Sequence, residues 1–147
     1  MRDFLDPRDE GTLALTHIYL LIGCAIPVWC TSALGADALA EVPPLLPFAG
    51  LLSVGVQDSL AAVFGTYCGR HRWPGTTKTV EGTLGAAAVT FACASLLSTH
   101  VVAMNSPAAK VYESLIPIAV VGLLEAYTQQ IDNVVLPVVF STLVLVL

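Results

Sequence analysis

The stretch "RWPGTTKTVEG" (residues 72–82) crowds an arginine, a lysine, three threonines and a glutamate together, in a chain with only six Lys and Arg in all. Thr76, Thr77 and Thr79 bring hydroxyl donors and Lys78 an ammonium, while the backbone adds N–H groups. Trp73 and Pro74 suit an interfacial anchor followed by a rigid turn, and Gly75 reaches conformations that other residues avoid. The segment runs into an apolar stretch that reads as a helix, whose N-terminus carries partial positive charge. Together these are the means by which a protein holds phosphate oxygens. It is not a Walker A loop, which needs G-x-x-x-x-G-K-[ST]; Lys78 follows Thr77 rather than glycine. A basic loop that fixes membrane topology, with a threonine as helix cap, accounts for the same residues. Composition alone does not separate the two.

Acids near that stretch sharpen the question. Glu81 would repel a neighbouring phosphate unless a divalent cation such as Mg²⁺ lay between them; dipole complementarity in a first helical turn explains it equally well. Asp58 stands inside the apolar run "LLSVGVQDSLAAVFG". A carboxylate there costs roughly 2.5–3.5 kcal/mol on insertion scales, less near the interface, and such acids usually face a polar cavity, a partner or a metal. Ser59 beside it, with glycines at 55 and 65, makes a helix that a ligand or another backbone can approach closely. In "LLEAYTQQIDNVVLP", Glu125 falls at the end of one apolar run, and Asp132 and Asn133 at the start of the next. Two acids and an amide at one membrane face would suit a Mg²⁺–phosphate site, and a short polar turn would look similar. His17, His71 and His100 read as interfacial or capping residues. Cys24, Cys30, Cys68 and Cys93 form no CxxC pair and read as small buried hydrophobes.

The elements that must position these residues are apolar and long. Of the 147 residues 56% are hydrophobic and 12% charged, about half the usual charged fraction of a soluble domain. Mean hydropathy is +0.79. The expected architecture is an all-α, polytopic transmembrane bundle of about five spans: residues 17–34, 45–66, 82–104, 111–128 and one from about 134. The last run is short for a span, and residues 1–16 read as a cytosolic segment rather than a signal peptide. With five spans, Arg2, Arg8, Arg70, Arg72 and Lys78 share one side and only Lys110 lies on the other, so the shared side is expected in the cytosol. The net charge of −5 gives no basic footprint for nucleic acid. No inverted repeat points to a transporter.

Four blocks in order carry a resemblance: "FLDPRDEGTLALTHIYLLIGCAIPVW", "FAGLLSVGVQDSLAAVFGTYCG", "RWPGTTKTVEGT" and "LLEAYTQQIDNVVLP". The chain resembles the C-terminal catalytic portion of the dolichol kinases, of the CTP-dependent polyprenol kinase family. The resemblance implies an endoplasmic-reticulum membrane enzyme that moves the γ-phosphoryl of CTP onto the terminal hydroxyl of dolichol, giving dolichyl phosphate for glycosylation. It implies that residues 17–147 form the kinase region, with a cytosolic CTP-binding stretch at 66–81. That stretch comprises Thr66, Tyr67, Cys68, Gly69, Arg70, His71, Arg72, Trp73, Pro74, Gly75, Thr76, Thr77, Lys78, Thr79, Val80 and Glu81. Asp58 and Lys78 are the expected catalytic pair. Asp58, Glu81 and Asp132 are the candidates for Mg²⁺, and Ser59, Glu125 and Asn133 are further polar candidates. Gln57 stands where the family's G-D-[ST] pattern has glycine, and Ala62 replaces a frequent serine. Family enzymes carry many more N-terminal spans. The competing readings are a kinase for another lipid alcohol, of phytol or diacylglycerol type, and a truncated, non-catalytic membrane interaction protein.

Overall fold

The computed structural model describes residues 15–33, 43–101, 107–128 and 132–147. Arg2 and Arg8, and the side chains of His100, Lys110 and Asp132, lie outside the described residues. The described residues form five helical elements. Helix α1 is Leu15–Ser32. Helix α2 (residues 46–68) is composite: a 3₁₀ turn at Leu46–Phe48, a π-helical segment at Leu51–Asp58 and an α-helical part at Ser59–Cys68. Helices α3, α4 and α5 are Val80–Val101, Pro107–Tyr127 and Asp132–Val146. Each apolar run of the sequence has become one helix.

The π-helical segment of α2 is central and touches all four other helices. Around it the apolar core gathers Leu52 and Val54 of α2, Ala94 of α3, Ile118 and Val121 of α4, and Leu136, Phe140 and Val144 of α5. Hydroxyls are buried too: Thr31, Ser53, Thr90 and Ser98. Each donates to the carbonyl four residues back in its own helix, on Pro27, Ala49, Ala86 and Ala94 respectively, at 2.7–2.8 Å. An unsatisfied buried hydroxyl would cost about 1–3 kcal/mol, and these bonds remove that cost.

The outer faces are the reverse of a soluble protein's. Leu21, Trp29, Leu84, Leu96 and Leu123 are exposed, while Gln57 and Glu125 are buried. The cysteines depart from expectation: Cys30 and Cys68 are exposed, and Cys24 and Cys93 are half-buried. A bundle that is apolar outside as well as inside gives a small apolar side chain no reason to turn inward. Helix α3 contains one stretch, Val80–Ser98, long and apolar enough to cross a membrane; His17–Ser32, Ser114–Tyr127 and Asn133–Val146 are shorter apolar helices.

Interior prolines shape the helix crossings. Pro27 and Pro137 lack the N–H that would bond the carbonyls of Gly23 and Asn133. The Asn133 carbonyl of α5 abuts Gly23 of α1 so closely that any side chain at 23 would run into it. The Gly23 carbonyl in turn lies 2.9 Å from where a methyl on Gly50 would stand. Small residues at such crossings let two backbones approach closely.

Candidate functional site

The connector between α2 and α3 is a small hairpin. Pro74 and Gly75 occupy the corners of a turn closed by Thr76 N–H donating to Trp73 O at 3.2 Å, and Gly75 has φ +79°. Proline followed by a left-handed glycine is what a type II turn requires. Below the turn, Trp73 N–H donates to Lys78 O at 3.0 Å, Arg72 pairs with Thr79, and Val80 N–H donates to His71 O at 2.9 Å. Trp73 fastens the hairpin to the bundle. Its Nε1–H donates to Thr83 Oγ1 of α3 at 3.1 Å, and its ring centre lies 5.9 Å from that of Tyr127 in the last turn of α4.

Thr79 and Glu81 determine how α3 begins. Thr79 Oγ1 accepts from Gly82 N–H at 3.2 Å, the arrangement of an N-cap, and Thr79 O accepts from Thr83 N–H. The Glu81 carboxylate turns back onto the hairpin. It accepts from Arg70 N–H at 3.1 Å and His71 N–H at 3.0 Å, and it pairs with His71 Nδ1. The N–H groups of Val80, Gly82 and Thr83 therefore already have partners within the protein. The sequence led us to expect these helix-end donors at phosphate; here they serve the hairpin and the cap. The physical reason is local: a threonine at the cap and a glutamate in the first turn reach such donors without any change of fold.

Deeper in, three elements converge on Lys78. Its Nζ donates to Glu125 Oε1 of α4 at 2.9 Å and lies 3.7 Å from Asp58 Oδ1, at the end of the π-helical segment of α2. The Glu125 side chain is 2% exposed, against 34% for Lys78 and 31% for Asp58. A carboxylate that deep is costly to ionise unless a cation stands against it, and Lys78 is that cation. Gln57, next to Asp58, is buried, and its Nε2 donates to Ile118 O of α4 at 2.8 Å. Consecutive residues of α2 thus reach α4 twice, directly at Ile118 and through Lys78 at Glu125. Such π segments are rare and concentrate at functional sites.

The expected site residues separate into groups. Asp58, Lys78 and Glu125 come together, and Arg70, Arg72 and Thr77 are exposed on the hairpin. Thr66, Tyr67 and Cys68 remain in the last turns of α2, and Thr66 Oγ1 donates to Ala62 O at 2.8 Å. Ser59 Oγ donates to Val54 O of its own helix at 3.2 Å. Asp132 opens α5, with its side chain outside the described residues, and Asn133 meets α1 through its carbonyl. Thr83 and Tyr127, which hold Trp73, lie within the quoted blocks but were not among the expected site residues. An aromatic two residues beyond Glu125, at the same helix end, is the one signal for Tyr127.

Among the described residues no group of three or more His, Cys, Asp or Glu could hold a metal. The donor set still suits Mg²⁺ in one way, since that ion often takes one or two carboxylates and completes its shell with phosphate oxygens and water. Asp58 fits that role. The Glu81 carboxylate already accepts from the hairpin backbone.

The described residues thus form a helical bundle with apolar outer faces and, at one end, a lysine between two acids beside a hairpin that carries further cations. The chain belongs to the cytidylyltransferase family, which it matches over residues 9–146. It is similar to a dolichol kinase of Mus musculus, 45% identical over 141 residues, covering 91% of this chain and 25% of that protein. It is similar also to "Dolichol kinase EVAN" of Arabidopsis thaliana (38% over 145 residues; 97% and 24%) and a dolichol kinase of Saccharomyces cerevisiae (33% over 139 residues; 93% and 24%). The chain spans about a quarter of the length of these curated relatives and matches their C-terminal portion. No solved structure matches it.

Proposed function

We propose that this chain carries the catalytic site of a CTP-dependent kinase that converts dolichol to dolichyl phosphate. The observation that carries the reading is Lys78, held between Asp58 and Glu125 at the foot of the 66–81 stretch. The names of the relatives supply the lipid alcohol, and the family supplies the cytidine nucleotide.

In this reading Lys78, with Arg70 or Arg72 and the Thr76 and Thr77 hydroxyls, holds the triphosphate. The terminal oxygen of the lipid attacks the γ-phosphorus as the bond to the β,γ-bridging oxygen breaks; CDP leaves, and Asp58 takes the hydroxyl proton. Phosphoryl transfer needs little covalent help from a protein, so positioning and charge neutralisation provide most of the catalysis. Asp58 would also hold Mg²⁺, which neutralises phosphate charge when bound.

The outward apolar side chains and inward hydroxyls support a polytopic membrane placement. The distribution of Lys and Arg supports residues 1–16 and the hairpin on the cytosolic side, and the resemblance to dolichol kinases implies the endoplasmic reticulum as the host membrane. The full-length gene product, purified in detergent with CTP labelled on its γ-phosphate, tests the reading. Label should pass to dolichol in preference to phytol or diacylglycerol, and from CTP in preference to ATP. Transfer to none of these alcohols sinks it.

A further inference from the structure

Among the described residues two carboxylates flank the Lys78 ammonium, and they are not equivalent. Lys78 Nζ is 2.9 Å from Glu125 Oε1 but 3.7 Å from Asp58 Oδ1, and Glu125 is buried where Asp58 is partly open. We infer that Glu125 is a positioning residue: it holds Lys78 from beneath and so prevents the ammonium from closing onto Asp58. This division of labour between the acids rests on the kinase reading.

The influence of Glu125 on the reaction runs through Lys78. An ammonium has three donors, and Glu125 takes one of them. The buried carboxylate therefore stays paired while another donor meets a phosphate oxygen. Burial also keeps Glu125 from a lipid hydroxyl or a hydrated cation. Remove its charge, and among the described residues Asp58 is the remaining carboxylate beside the ammonium. Attraction grows as the separation shrinks, so Lys78 moves onto Asp58 and quenches the group that accepts the hydroxyl proton. The nucleotide still meets a cation, but the proton has lost its acceptor. The cost should fall on kcat rather than on KM for CTP.

Two measurements on the full-length gene product test this. In a thermal-unfolding cycle, Lys78→Met should lower the midpoint by several degrees, and adding Glu125→Gln should recover most of the loss. The same cycle with Asp58→Asn should show little coupling. In kinetics, Glu125→Gln should lower kcat about tenfold or more with KM for CTP within about threefold, and Glu125→Asp should restore part of kcat. An active wild type whose Glu125→Gln variant keeps its kcat overturns the inference, as does a Lys78→Met loss that Glu125→Gln fails to recover. An inactive wild type with the thermal coupling intact overturns the kinase reading instead, and the positioning role with it, while the buried ion pair stands.

Discussion

Glu125 and Lys78 stand 47 residues apart in sequence, yet Oε1 and Nζ meet at 2.9 Å. The contact joins the last turns of α4 to the base of the hairpin that precedes α3. It places a buried negative charge under the lysine that the nucleotide reading requires, and it links that reading to the stability of the bundle.

Glu81 should behave as a hairpin clasp rather than a metal ligand. Its carboxylate binds the N–H groups of Arg70 and His71. Glu81→Ala is expected to raise KM for CTP by about tenfold, the equivalent of one charge-assisted bond lost from a loop. Titrating Mg²⁺ upward should not restore it. Recovery at high Mg²⁺ would return Glu81 to the metal shell.

Gln57 and Gly122 should be coupled. A methyl on Gly122 would stand 2.8 Å from Gln57 Nε2, which is held in place by its bond to Ile118 O. Gly122→Ala is expected to destabilise the protein by about 1–3 kcal/mol, the usual cost of overpacking. Gln57→Ala should relieve most of that penalty in the double variant. Additive losses in detergent unfolding would show that the two residues do not share the space.

The α1–α5 crossing has its own test. Gly23→Ala pushes a methyl into the Asn133 carbonyl, backbone against backbone, with no flexible side chain to yield. A loss of several kcal/mol is expected, because neither backbone can move without disturbing core packing. Membrane yield and unfolding midpoint should both fall. An unchanged midpoint would contradict the contact between the two helices.

Much of the fold was legible because apolar runs interrupted by Gly, Pro and polar residues have few alternatives to helices when their outer faces are apolar. Asp58 stood out for the same physical reason, the cost of an acid within an apolar run. Lys78 and Glu125 were visible as candidates at helix ends, but their pairing needs the relative placement of the hairpin and α4, which no local pattern encodes. The π-helical segment was not legible, since its residues fit an α-helix equally well. Glu81 was ambiguous between a metal shell and dipole complementarity, and its bonds to the Arg70 and His71 N–H groups are a role that neither reading named. Thr79 caps α3, the plainer of the two readings open to it. The five expected spans correspond to five helical elements among the described residues, of which α3 has the length and apolarity of a span by itself.

The most direct test of the central claim is phosphoryl transfer from CTP to dolichol by full-length protein carrying Lys78→Met or Asp58→Asn, assayed at equal membrane abundance. Each substitution is expected to reduce turnover by about 10²-fold or more, since one removes a triphosphate cation and the other the proton acceptor. Near-normal turnover in both variants would contradict the assignment of the site.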